Sequence, residues 1–300
     1  MDTSGIGRGA RTKPSTCWFK HPQVRPPRAI RACRAGVAKR PSGMTRDGMS
    51  RRELIRMTSG LLVAPVLTAC GASRGPAAER LAAPVPVLGE RLTPGWHTLG
   101  TGGERDGVVS VPAATGPLPL IVMLHGAGGT GRRAAQLLGP GPGEAGCIVL
   151  APDARASTWD AVTGPFGPDV AFVSRALAHV VARCDVDPSR VALAGFSDGA
   201  TYALALGRAN GDRFTHLLAF SPGFLIPARP TGAPVIFVSH GVADQILPID
   251  RCSRRLVPAL RRRGYRVRYR EFEGRHEVPP AVVHEGLAWF LDRAGTSDPA

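Results

Sequence analysis

The sequence predicts an α/β protein: a mostly parallel sheet with helices on both faces. Three observations lead there. First, apolar runs such as Leu118-Pro119-Leu120-Ile121-Val122-Met123-Leu124 and Val235-Ile236-Phe237-Val238 lack the alternation of a half-exposed strand. Runs this short and this continuous read as strands buried on both faces. Second, segments with helical spacing fall between these runs, the order that parallel strands need. Third, Val191-Ala192-Leu193-Ala194 passes through Gly195-Phe196-Ser197-Asp198-Gly199 into the helical stretch 200–206. A strand turning this sharply into a helix requires residues without bulk two before and two after the serine, and glycine fills both places.

Taken in order, residues 1–48 are rich in Arg, Pro, Gly and Ser and lack a sustained apolar period, so they read as a disordered basic extension. Met44 and Met49 are alternative starts directly before the next segment, 49–70. There Ser50-Arg51-Arg52-Glu53-Leu54-Ile55-Arg56 leads into an apolar stretch, 61–69, broken by Pro65 and far too short to span a membrane. Paired arginines before a short apolar run resemble a twin-arginine export signal, with Leu54 where that pattern often has Phe. Leu67-Thr68-Ala69-Cys70 resembles the lipobox of bacterial lipoproteins. The resemblance implies a diacylglyceryl group on Cys70 and an exported, lipid-anchored protein of the bacterial envelope, or a secreted one if Cys70 stays unmodified. Residues 71–91, rich in Ala, Pro and Gly, read as a flexible tether, and residues 92–300 as the folded domain.

Within that domain, strands are expected at 107–111, 118–124, 147–151, 191–194, 217–220, 235–238 and 267–272. Helices are expected at 169–183, 200–206, 249–263 (with Pro258 inside) and 281–293. Only 14 residues separate Phe220 from Val235, too few for a lid domain between those strands. No internal repeat is present.

The net charge of +15 suggests a nucleic-acid binder until it is divided along the chain. Residues 1–69 hold 14 Lys and Arg against 3 Asp and Glu, so +11 belongs to them and +4 to residues 70–300. That distribution speaks against nucleic acid as the domain's partner. The cysteines are Cys17, Cys33, Cys70, Cys147, Cys184 and Cys252, with no metal-site spacing among them. Cys147 heads an apolar strand and reads as a buried small residue, while Cys184 and Cys252 are a candidate pair in an exported protein.

A serine hydroxyl is a weak nucleophile and needs an adjacent base. Asp244 follows the strand ending at Val238, and His276 follows the strand ending at Phe272. Both therefore stand at carboxyl ends of strands, where open α/β sheets bind ligands. Ser197 as nucleophile, His276 as base and Asp244 as orienting acid form the expected triad. The oxyanion donors are expected from the backbone N–H of Asp198 and of Ala127, with Gly128 as second choice, in the loop His125-Gly126-Ala127-Gly128-Gly129. His125 is expected to brace that loop. Asp250 is read as part of a helix start, His284 as a surface residue, His240 as structural or substrate-facing, and His179 and His216 as lying in or beside secondary structure without a catalytic context. Trp159 is a candidate for the acyl pocket or the core. Arg261-Arg262-Arg263, with Arg266, Arg268 and Arg270, reads first as a solvated surface and second as an attractor of anionic lipid or polymer.

These motifs in this order resemble the α/β-hydrolase superfamily, in particular its phospholipase/carboxylesterase branch. They are also similar to secreted feruloyl-esterase and polyhydroxybutyrate-depolymerase-like proteins. The resemblance implies hydrolysis of small-molecule or polymeric carboxylic esters with no metal or organic cofactor, and the short segment before Val235 implies no large cap domain. Serine peptidase or thioesterase chemistry is the alternative within the superfamily, and a non-catalytic envelope binding protein is the alternative outside enzymology.

Overall fold

The computed structural model describes residues 78–82, 90–101, 103–141 and 143–292, all within the unit Cys70–Ala300. The expected basic extension and the export segment with Cys70 lie outside the described residues. The strands are β1 (Gly95–Thr98), β2 (Gly107–Val111), β3 (Leu118–Leu124), β4 (Ile148–Pro152), β5 (Val186–Phe196), β6 (His216–Phe220), β7 (Val235–Gly241) and β8 (Val267–Phe272). They form an 8-stranded sheet in the order β1-β2-β4-β3-β5-β6-β7-β8. β1 and β2 run antiparallel, and β4, β3, β5, β6, β7 and β8 pair in parallel.

The unbroken apolar runs follow from cover on both faces. In β3, Leu120, Val122 and Leu124 enter the core under α3 (Pro168–Arg183), α4 (Asp198–Ala209) and α5 (Ser253–Arg261). Ile121 and Met123, pointing the other way, enter the core under α1 (Gly131–Leu138) and α6 (Pro280–Leu291). A period of two that is apolar on both phases looks continuous in the sequence. Residues 221–234, between β6 and β7, contain no helix, so no cap domain is inserted between these two strands.

Several expectations are corrected. β1, α1 and the short α2 (Asp160–Thr163) had no counterpart in the apolar pattern, and β5 begins five residues earlier than its apolar run. α5 is shorter than 249–263, which leaves Asp250 in the turn ahead of it. Cys184 and Cys252 are both free thiols. Cys147 is fully buried, and burial pushes its thiol up to about 12.

The tether read at 71–91 is not free along its whole length. Arg80 donates to both carboxylate oxygens of Asp212 at 2.8 Å, and this holds the Asp212 carboxyl well below its usual range. Leu81 is 3% exposed, and its N–H donates to Asn210 Oδ1 at 2.9 Å. Asn210 Nδ2 returns a bond to the Glu79 carbonyl at 2.8 Å. Composition marks a linker here, but one arginine and one leucine are enough to dock it.

Candidate active site

The elbow after β5 forces Ser197 to φ 58°, ψ −119°, a conformation that side chains avoid. Its glycines are sterically required. A Cβ on Gly199 would lie 2.3 Å from the Leu124 carbonyl oxygen, and one on Gly195 would lie 2.3 Å from the Gly199 carbonyl. The Ser197 N–H donates to the Phe220 carbonyl at 2.9 Å, which pins the turn to β6. Ser197 itself is 9% exposed, at the N-terminus of α4, whose dipole favours developing negative charge there.

Asp244 and His276 meet because their loops are stitched together. Val242 N–H bonds the Phe272 carbonyl and Ala243 N–H bonds the Gly274 carbonyl, both at 2.9 Å. His276 Nδ1 lies 2.6 Å from Asp244 Oδ2, and His276 Nε2 lies 2.9 Å from Ser197 Oγ. A carboxylate only accepts, so Nδ1 carries the proton and neutral Nε2 is left to accept from the serine hydroxyl. The other oxygen of Asp244 accepts the N–H groups of Ile246 at 2.9 Å and Leu247 at 2.8 Å. The Phe196 ring lies 4.9 Å from the His276 ring and limits its tilt.

His240 is a second histidine on the same carboxylate. It is fully buried, and its Nε2–H points at the Leu247 carbonyl at 2.8 Å and at Asp244 Oδ2 at 3.2 Å. Its Nδ1 accepts from Ser253 Oγ at 2.7 Å. Burial pushes its pKa down, which keeps the ring neutral. His240 is thus structural, a brace for the acid loop.

The loop after β3 passes directly beside the nucleophile: a Cβ on Gly126 would come 3.3 Å from Ser197 Cβ. Gly128 N–H is used by the Ser157 carbonyl at 2.6 Å and Gly129 N–H by the Gly126 carbonyl at 3.0 Å. The N–H groups of Ala127 and Asp198 make no hydrogen bond among the described residues. Gly128 is therefore set aside as an oxyanion donor in this conformation, while Ala127 and Asp198 keep their N–H groups available.

His125 braces this loop as expected, with partners that no local motif marks. His125 Nε2 accepts from Ala154 N–H at 2.9 Å, so its proton is on Nδ1, directed to the Gly126 carbonyl at 2.7 Å. Arg105 donates to the carbonyls of Ala154 at 2.5 Å and Gly129 at 3.1 Å. Trp159 is fully buried, not pocket-lining. Its indole N–H donates to the His125 carbonyl at 2.8 Å, and its ring lies between His125 and Tyr202. Trp159→Phe should leave that buried carbonyl without its donor, costing about 1–3 kcal/mol of stability. By loosening the loop it should lower kcat about tenfold with little change in KM, as steady-state kinetics and thermal melts would show.

The rival residues lie elsewhere. Asp250 is exposed and pairs with Arg254 at 2.8 Å, and His284 is exposed on α6. His179 contacts Arg183 on α3, and His216 packs edge-on against Trp289 and Phe290 at the opposite end of β6. Among the described residues, no group of His, Cys, Asp and Glu is arranged to hold a metal ion.

This strand order, with a serine elbow after β5 and loops carrying Asp244 and His276 after β7 and β8, is the α/β-hydrolase fold. No family model matches the chain. It is 28% identical over 236 residues to a protein of Nocardia uniformis subsp. tsuyamanensis with the provisional name esterase NocK, covering 68% of this chain and 67% of that one. Among solved structures, esterase PE8 matches with TM-score 0.50 at 22% identity, over 62% of this chain and 97% of its own. The Bacillus cereus carboxylesterase matches with TM-score 0.50 at 17% identity, over 63% and 95%.

Proposed function

We propose that the chain is a carboxylic ester hydrolase that works through a serine acyl-enzyme. The hydrogen-bond chain Ser197–His276–Asp244 carries this reading. Ser197 Oγ attacks the ester carbonyl carbon as His276 Nε2 takes its proton. The oxygen gains negative charge and is held by the N–H groups of Ala127 and Asp198. Collapse of that intermediate breaks the bond to the alcohol oxygen, which leaves with the proton from Nε2. Water then repeats the attack on the acyl group, with His276 again taking and returning the proton, and the acid departs. Asp244 stabilises the imidazolium formed in each half. None of these steps calls for a metal or organic cofactor.

The esterase name of the Nocardia relative favours oxygen esters over other acyl compounds. Phe224 and Ile246, 50% and 69% exposed on the loops after β6 and β7, offer an apolar surface beside an uncapped site. Such a site suits esters with an apolar group, bulky and polymeric ones included. The test is a panel of oxygen esters graded by acyl length, run beside thioesters and anilides. Oxygen esters should turn over fastest. Turnover confined to thioesters or amides would move the enzyme within the superfamily, and no turnover at all would leave a binding scaffold.

We further propose that Cys70 carries a diacylglyceryl group after twin-arginine export. Two acyl chains anchor stably where one does not. Membrane fractionation of wild type and Cys70→Ala, with mass spectrometry of the mature N-terminus, tests this. A soluble, unlipidated wild-type product would refute it.

A further inference from the structure

We propose that the end of the domain opposite Ser197 is a docking surface for an anionic lipid bilayer, so that the site faces away from the membrane. α4 relates the two ends. Ser197 caps its N-terminus, and its 12 residues carry the chain about 18 Å to the far end. At that far end Arg80 donates to the Ala209 carbonyl, and Leu81 and Glu79 clasp Asn210.

The same end is basic. The register pairs His216 with Val235 and Ile236 with Val267, which levels the starts of β6, β7 and β8. Arg213, Arg229 and Arg266 stand ahead of those three strands, and Arg261, Arg262 and Arg263 come at the end of α5, just before β8. All but the partly exposed Arg213 are exposed. Arg213 donates to the Ala82 carbonyl, and the Arg229 N–H bonds Glu79 Oε1 at 3.2 Å, so this face is continuous with the docked segment. None of the six forms an ion pair among the described residues, and the nearby Asp212 is already taken by Arg80. Further along β8 the picture changes: Arg268 and Arg270 both pair with Glu285. The arginine run of the sequence therefore splits into a neutralised strand face and an open basic end. Six arginines at that end exceed the +4 net charge of residues 70–300.

Chain length selects the occupant. Only eight residues, 71–78, separate Cys70 from Glu79, and fully extended they reach about 30 Å. A bilayer-anchored Cys70 would hold this end, not the site, at the surface. Each arginine near an anionic leaflet strengthens binding about fivefold. The choice of a lipid partner rests on the export and lipidation reading; the basic face does not.

The experiment uses residues 71–300, the compact unit that holds every described residue and lacks both Cys70 and the basic segment 1–69, so that binding comes from neither an acyl anchor nor that segment. Its sedimentation is measured with vesicles of phosphatidylcholine plus phosphatidylglycerol and with phosphatidylcholine alone. Binding should be confined to the anionic vesicles and weaken with salt. Adding Arg262→Gln, Arg263→Gln and Arg266→Gln should weaken it about a hundredfold, with turnover of a soluble ester unchanged. Arg251→Gln with Arg255→Gln, at the other end of α5, should leave binding intact. Turnover of the soluble ester should also be the same with and without vesicles. Equal binding to neutral vesicles, equal loss in the control pair, or inhibition on vesicles would each overturn the proposal. So would retention on an immobilised soluble polyanion without any binding to anionic vesicles. Because Cys70 is absent, these outcomes are independent of whether wild type is lipidated.

Discussion

Ser197→Ala should lower kcat by about 10⁴- to 10⁶-fold, a loss of about 5–8 kcal/mol of transition-state stabilisation. The hydroxyl is the attacking atom, and among the described residues no other hydroxyl lies on His276 Nε2, whose hydrogen-bond partner is Ser197 Oγ at 2.9 Å. What remains is the activity of the two backbone donors and of binding alone. The fold should survive, because the Ser197 N–H bond to Phe220 and the glycine contacts of the elbow do not involve the hydroxyl. Ser197→Gly separates activity from strain. It should be equally inactive yet more stable than wild type by about 1 kcal/mol, since glycine accepts φ 58° without steric cost. Ester turnover and thermal melts of the two variants check both halves.

Asp244→Asn should be the next most damaging change, with kcat down by about 10⁴-fold and the fold retained. The carboxylate makes His276 Nδ1 a donor at 2.6 Å, and that leaves Nε2 as an acceptor facing the serine. An amide in its place has an NH₂ group that can donate to Nδ1, which drives the proton to Nε2 and removes the base. The amide oxygen can still accept from Ile246 and Leu247, so the loop keeps its turn. Asp250→Asn, by contrast, touches only an exposed ion pair and should change turnover little. If Asp250→Asn were the crippling change, the acid would be misassigned. Kinetics of both variants on one ester decide it.

The sheet was legible because its central strands are buried on both faces, which turns β3, β6 and β7 into unbroken apolar runs. The elbow was legible because its sterics require glycine at 195 and 199. β1 and α1 were not. β1 is a half-exposed edge strand reading Gly95–Thr98, and α1 meets the sheet with Ala134, Ala135 and Leu138 amid arginines and glutamine. Asp244 and His276 could be placed from the ends of their strands, but the stitching that brings them together is backbone to backbone and leaves no mark in side-chain identity. The same holds for the loss of Gly128 as a donor, which depends on the Ser157 carbonyl. Arg105, Ala154 and Trp159 brace the loop after β3 from distant parts of the sequence, which no local motif records. The docked segment at 79–82 is the converse case. Its composition is that of a linker, and its fixed geometry comes from contacts more than a hundred residues away.

Covalent labelling tests the central claim most directly. The full chain is treated with a fluorophosphonate, digested, and the modified residue located by mass spectrometry. The phosphorus should be found on the peptide containing Ser197, bonded to that side chain, with labelling abolished in Ser197→Ala and strongly slowed in His276→Ala. A wild-type protein that turns over esters while its adduct forms on another residue, or a Ser197→Ala variant that still labels and still hydrolyses, would contradict the account.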